Sequence, residues 1–355
     1  MKVKVSFPPA SEYRKLMARK LFFILGFVCL IIILSGIAVT VGPMEFSSKE
    51  AFKAVLERFF PSRFSVSGVS GSVIWMIRLP RIITALLAGF GLAIAGVQMQ
   101  AILRNPLASP FTLGISAGGG FGASLAILMG VGFAGGEYFL IGNAFLFSLI
   151  PALLIFFLSR FKKATAGMMI LAGISLAYIF SAGSTLISYF AQAEDLKALS
   201  LWMMGDVGKT TWADLGPMAA VMLTSSVFLL LASRTLNIMN AGDETAKSLG
   251  VNVERVRISI VVLSSLVTSS VICFTGMIGF VGLVAPHITR MFIGSDNRFL
   301  VPASGLFGAA FLLGADIVSM TVIEPSVLPV GLVTALLGGP LFFLLIIGRK
   351  GREYW

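Results

Sequence analysis

Charge is what this chain has least of: 12% of its 355 residues are Asp, Glu, Lys or Arg, against 57% that are hydrophobic. So little charge cannot cover a water-soluble globule of this length, which excludes that class and points to an integral membrane protein. Histidine occurs once, at His287, and cysteine twice, at Cys29 and Cys273. A lone histidine with no cluster of Asp, Glu or Cys around it cannot make a His-based metal site. The cysteines sit inside apolar runs without metal-ligand or redox spacing, so they read as packing residues and a disulfide scaffold is excluded. Catalytic signatures are missing as well. Gly205-Asp206-Val207-Gly208-Lys209-Thr210 ends like a phosphate-binding loop, but Met203 stands where that motif needs its first glycine. A Ser/His/Asp hydrolase would need a nucleophile elbow of the G-x-S-x-G kind, and none is read here.

Apolar sequence is what the chain has in quantity. A bilayer core about 30 Å thick takes roughly 20 apolar residues per helical span. Runs at about 21–41, 82–103, 111–131, 138–159, 168–190, 212–233, 256–275, 278–293, 300–319 and 329–348 predict ten spans in a single transmembrane domain over 1–355. One alternating set of connections, with the basic tail 1–20, holds 19 of the 27 Lys and Arg. The positive-inside rule then places both termini in the cytoplasm, and the net charge of +11 is a topology signal, not a nucleic-acid footprint. Residues 1–41 have the order of a secretory leader, a basic start before an apolar run. That run is too long for a usual leader core and no small-x-small site precedes Pro43, so it reads as the first span.

The outward loop 42–79 carries Phe52, Val55, Leu56, Phe59 and Phe60 at helical spacing, which predicts an amphipathic helix on the outer surface. Segment 191–211, too short to span and too apolar to float free, predicts a short helix at the outer mouth. Gly114, Gly118 and Gly122 put hydrogen side chains on one helix face, a small-xxx-small packing surface. Gly276, Gly279 and Gly282 predict broken backbone that either lines a path or makes a plain hairpin. Secondary transporters usually keep ionisable groups within the bilayer. Here Asp316 is the main one, near the outer end of the ninth span, which is thin support for a proton-coupled transporter. A non-transport membrane scaffold also stays open, since it needs the packing glycines alone.

The motifs point further. Arg78-Leu79-Pro80-Arg81, Gln98-Met99-Gln100, Asn105-Pro106-Leu107-Ala108-Ser109-Pro110 and Leu113-Gly114-Ile115-Ser116-Ala117-Gly118 follow one another early in the chain. Trp202-Met203-Met204-Gly205, the run Gly279 to Arg290 around Ala285-Pro286-His287, and Pro329-Val330-Gly331-Leu332 to Ala335 come later. Together, and in this order, they resemble the FecCD permeases of ATP-driven importers for iron-siderophores, haem and vitamin B12. The resemblance implies a type II ABC importer permease, non-catalytic itself, working as a homodimer. It also implies two cytoplasmic ATPase subunits that hold the ATP and Mg, and an outer substrate-binding protein. Residues 241–251 resemble the family's coupling segment, which makes Gly242, Asp243, Ala246, Leu249 and Gly250 the expected ATPase contact. Arg78 and Arg81 match arginines that meet carboxylates of the binding protein, although lipid headgroup contact or snorkelling would also explain them. Met320 replaces an arginine common at that place. Asn105 and Leu107 match inner-gate positions, with Gly279 and Gly282 along the path, and His287 reads as part of a structural turn. Cargo is left open among ferric siderophore, haem, cobalamin and an oxyanion such as molybdate, ferric siderophore being the first choice.

Overall fold

A computed structural model describes residues 10–44, 46–64, 66–133, 135, 138–161 and 165–347. Tail residues 1–9 and the basic positions Lys162, Lys163, Arg349, Lys350 and Arg352, which entered the charge count, lie outside the described residues. Among the described residues there is no strand. The first third holds α1 (Ala10–Thr40), α2 (Ser48–Glu57), α3 (Gly68–Val73) and α4 (Leu79–Leu103). Next come α5 (Ile115–Met129), α6 (Phe139–Phe161), α7 (Ala166–Tyr189), α8 (Ala193–Met203) and α9 (Trp212–Leu231). Short helices α10 (Ser233–Asn240) and α11 (Asp243–Ser248) precede α12 (Val253–Thr275), α13 (Val281–Ile293), α14 (Asn297–Thr321) and α15 (Val330–Ile347).

The ten expected spans are all helical. Among the described residues seven stretches are long and apolar enough to cross a membrane, and α5, α13 and α15 are shorter apolar helices. The short ones follow irregular backbone at 104–114, 276–280 and 322–329; of these, 276–280 is the most buried, the kind of broken backbone that protein neighbours tolerate at membrane depth and lipid would not, while 322–327 is exposed. The second span departs from expectation, because helix starts at Gly68 and runs through a π-helical turn, Ile74–Arg78, straight into α4. Pro80 has no N–H to donate, and this widened turn lies just before it, so the proline sits inside a continuing rod instead of opening a new one. Helix α2 fills the amphipathic segment, with Ser47 Oγ accepting from Glu50 N at 3.2 Å as its cap. It packs inward through Ala51 and Ala54, however, and leaves Phe52, Phe59 and Phe60 exposed.

α4 is the central stave, packed on α14, α12, α13 and α9, while α5, α6 and α7 form a second group joined through α12. Backbones touch where glycine removes the side chain. A Cβ at Gly96 would sit 1.9 Å from the Gly282 carbonyl oxygen, and one at Gly89 would sit 2.3 Å from that of Gly308. Gly118 and Gly122 meet the Phe147 and Asn143 carbonyls of α6 in the same way, so that glycine stripe is a packing face. Letter by letter, Gly114-Ile115-Ser116-Ala117-Gly118 does fit G-x-S-x-G, contrary to the sequence reading. It follows a 3₁₀ turn and opens α5, with no strand before it, so the context of a nucleophile elbow is missing.

Candidate functional site

Three sequence motifs far apart in the chain meet at one backbone knot. Gly331 N donates to the Gly205 carbonyl at 3.0 Å, and Asp206 N donates to the Thr275 carbonyl at 2.7 Å. A Cβ at Gly276 would lie 2.1 Å from the Trp202 carbonyl oxygen, and one at Gly331 would lie 2.1 Å from that of Met204. Gly276 also has φ +76°, in the left-handed region that side chains avoid. These glycines are therefore fixed by contact between loops.

At one end of the bundle, α4 finishes on Arg104, itself left-handed at φ 47°, and hands over to the turn Asn105–Ser109. The Asn105 Oδ1 accepts from Leu107 N at 2.9 Å, and Ala108 N donates to the Asn105 carbonyl at 3.0 Å, which holds Leu107 out on the tip of the turn. Asn105 and Leu107 line a cavity of about 380 Å³ together with Phe111, Ile174, Tyr178 and Ser181 of the next element and α7. Tyr178 lies at the middle of α7 and is 74% exposed. Tyrosine favours the membrane interface, so an open phenol at mid-span marks a protein- or water-facing surface, not a lipid-facing one. A second cavity of about 190 Å³ is lined by Ser109, Phe111, Gly279, Phe280 and Gly282, so the turn and the broken 276–280 backbone border one region. Gly279 has open space where a Cβ would stand, while Gly282 presses on the Leu92 carbonyl, so of this pair only Gly279 is free of packing duty.

Next to that turn stands α11. Gly242 opens it at φ +116° and Gly250 closes it at φ +83°. Asp243 in its first turn, where the helix dipole favours an acid, accepts from Arg104 Nη2 at 2.6 Å and from Arg257 Nη2 at 3.0 Å. Leu249 is 66% exposed at the tip. Ala246 is fully buried against Met239 and Val253, so it seats the helix and cannot itself touch a partner. That corrects its expected place among contact residues.

At the opposite end, Arg78 and Arg81 also depart from expectation. Neither presents its guanidinium outward, being 6% and 8% exposed. Arg78 donates to the Val39 and Met44 carbonyls and stacks on Phe46, its carbon 4.6 Å from the ring centre. Arg81 forms a fork with Asp316, Nη2 to Oδ1 at 2.7 Å and Nε to Oδ2 at 2.9 Å, with Ser319 and Asp206 nearby. An arginine in an apolar bundle is satisfied by whatever acceptor lies closest, and here those acceptors belong to α14, to the end of α1 and to Met44 just after it. His287 is likewise no turn residue. It is buried inside α13, with its ring edge-on to Phe342 at 6.0 Å.

A family model described as the FecCD transport family matches residues 29–348. The chain belongs to the FecCD transport family. Among relatives of this FecCD chain, an ABC transporter permease of Methanocaldococcus jannaschii is 48% identical over 79% of the chain and 83% of that protein. The hemin transport system permease of Yersinia pestis is 39% identical over 79% and 85%, and the vitamin B12 import permease of Klebsiella pneumoniae is 39% identical over 83% and 88%. A metal-chelate-type ABC transporter solved in an inward-facing conformation superposes with TM-score 0.81 at 32% identity, covering 92% of this chain and 99% of that one. The architecture is thus that of a type II ABC importer permease, and the protein is a membrane permease.

Sequence reading missed Arg104, Arg257 and Tyr178. The arginines' shared partner is Asp243, 139 and 14 residues away, so no local spacing announces the trio. Tyr178 gave a faint signal as an aromatic hydroxyl in the middle of an otherwise apolar run.

Proposed function

We propose that this FecCD permease imports a metal chelate across the cytoplasmic membrane as the transmembrane half of an ATP-driven machine. Two copies enclose the path, two ATPase subunits that carry the ATP and Mg sit below, and a substrate-binding protein delivers cargo above. Both termini and α11 lie in the cytoplasm, in keeping with the basic connections on that side. The observation that carries this reading is α11 itself: a short helix with an exposed leucine at its tip, tied through Asp243 and Arg104 to the start of the turn that holds Leu107. Gly242 and Gly250 let the segment turn out and back, Leu249 meets the ATPase, and Asn105 with Leu107 forms the inner gate beside Gly279. Cargo is a ferric siderophore first, with haem, vitamin B12 and molybdate as the alternatives that relatives' names supply. A Fe(3+)-citrate import permease of Bacillus subtilis, 34% identical over 94% of the chain, favours the iron chelate.

The test is ATP-dependent uptake in vesicles holding the permease, its ATPase and its binding protein. Leu249→Asp is expected to weaken ATPase capture about tenfold or more, as loss of a central apolar contact does, and to abolish uptake in proportion. Undiminished uptake with the ATPase left out would end the proposal.

A further inference from the structure

Helix α2 carries an apolar stripe that its own fold leaves uncovered. Phe52, Leu56, Phe59 and Phe60 recur at helical spacing, and Phe60 N donates to the Leu56 carbonyl at 2.8 Å, so the turn that closes α2 continues the stripe. Phe52, Phe59 and Phe60 are 52%, 66% and 51% exposed. The helix is nevertheless fixed in place. Ala51 and Ala54 on its other face are buried, Trp75 Nε1 donates to the Ala54 carbonyl at 2.9 Å, and Ser70 Oγ donates to Glu50 Oε1 at 2.5 Å. An apolar stripe held outward by such an anchor calls for a cover from outside the chain.

Two contacts give the depth at which the stripe lies. A Cβ at Gly36 would stand 3.7 Å from the Phe52 ring, and Gly36 precedes Thr40, the last residue of the spanning helix α1, by about 6 Å. At the other end of α2, Phe59 lies 6.1 Å from the Trp75 ring, which stacks on Trp212 at 5.9 Å, and Trp212 is the first residue of the spanning helix α9. Trp212 Nε1 in turn donates to the Trp75 carbonyl at 2.6 Å. Helix α2 therefore lies across the ends of two spans, level with their outermost turns, the depth at which indoles gather in membrane proteins. The stripe also runs on into surface that faces lipid. Ile33 and Ile37 flank Gly36 on α1 and are exposed, as are Met76 and Ile77 next to Trp75.

Charge does not decide the matter. Lys49, Lys53, Arg58 and Arg63 are exposed around the stripe, while Glu50 is engaged by Ser70 and Glu57 accepts from Val66 N at 3.4 Å. Long basic side chains can keep their stems on an apolar contact and their charges in water.

We propose that α2 and the turn after it are embedded in the membrane leaflet at the end of the bundle opposite α11. Phe52, Phe59 and Phe60 enter the boundary between headgroups and acyl chains, and Lys49 and Lys53 stay among the headgroups. A soluble partner at that end of the bundle then finds α2 turned to lipid and docks elsewhere.

Nitroxide labels test this in the full chain, reconstituted in phosphatidylcholine nanodiscs. Cys29 is replaced by serine and the buried Cys273 is left in place. Phe52→Cys and Phe60→Cys are labelled singly, with Leu25→Cys, exposed in the middle of α1, as the lipid reference. Power saturation compares relaxation by oxygen, which concentrates among acyl chains, with relaxation by a water-soluble nickel chelate. Oxygen is expected to act more strongly than the chelate at both α2 sites, as at Leu25→Cys, and adding the substrate-binding protein is expected to change neither. A chelate effect larger than the oxygen effect at either α2 site would put the stripe in water and overturn the proposal. So would a chelate effect that disappears when the binding protein is added, which would assign the stripe to that partner. Both substitutions fall at exposed positions, and either label alone gives the criterion where the other variant does not assemble. Nothing in the readout depends on transport, so its failure is separate from failure of the importer reading.

Discussion

Asp316→Asn is expected to lower the stability of the folded permease by about 3 kcal/mol, because it leaves the Arg81 guanidinium inside the bundle with the more distant Asp206, 3.8 Å away, as its ionised partner. Asp316 is fully buried and takes a two-pronged contact from Arg81, so little water can compensate for its loss. A thermal-unfolding comparison in detergent, read beside the yield of monodisperse protein, gives the effect directly. Removing both partners tells more. Arg81→Met with Asp316→Leu deletes two charges together, and such exchanges of a buried pair for apolar residues are often neutral or better. The double variant is therefore expected to regain most of the lost stability and to keep ATP-driven uptake. A proton-coupled transporter gives the opposite pattern: a well-folded double variant that transports nothing, because its main candidate proton carrier is gone. An acid clamped by a forked arginine is also poorly placed to pick up and release protons, which is why we favour the ATP-driven reading.

How far this chain can be read from its letters depends on the distance over which each feature is decided. Apolar helices are decided locally, and a helix was legible at each of the ten apolar runs, although seven of them are long enough to span and the second begins at Gly68, well before its apolar run. The packing glycines Gly118 and Gly122 were legible for the same reason, since their spacing builds the face that α6 meets, while Gly114 stands before α5 and meets Gly173 of α7 instead. Features decided by remote partners were not legible. Arg81 read as a surface residue because a cation beside a proline at a span boundary usually is one, and nothing near it in sequence reveals Asp316, 235 residues on. Helix starting at Gly68 was hidden by a Ser- and Gly-rich stretch that disfavours helix on propensity, and tertiary packing outweighed that preference. Resemblance pointed to the 241–251 segment, but only the fold separates its exposed Leu249 from its buried Ala246.

Asp243→Arg is expected to cut ATP-driven uptake by about tenfold or more while leaving the permease folded. The Asp243–Arg104 pair is partly exposed and contributes only about 0.2–1 kcal/mol to stability, but Arg257 is 5% exposed and loses Asp243 as well, so a lower Tm should accompany the variant. Uptake is therefore compared per folded complex, and the loss that remains reflects coupling instead of folding. The geometry says why coupling should suffer. Arg104 is the last grip of α4 before the Asn105–Ser109 turn, and it reaches the end of α10 at the Met239 carbonyl and α11 at Asp243. A push on α11 from an ATPase would thus arrive at the base of the turn that carries Leu107. With three arginines facing one another in place of a shared acid, α11 would be repelled from both α4 and α12. Combining Asp243→Arg with Arg104→Asp restores an opposite-charge pair between α11 and the turn, and uptake is expected to recover in part, with Arg257 left beside a like charge. ATP hydrolysis by the assembled complex should continue in the single variant, because the proposed function puts the catalytic sites on the ATPase subunit. If uptake and hydrolysis instead fall together in the single variant, and the exchange restores neither, this ion pair is ordinary packing and the stroke reaches the gate by another route.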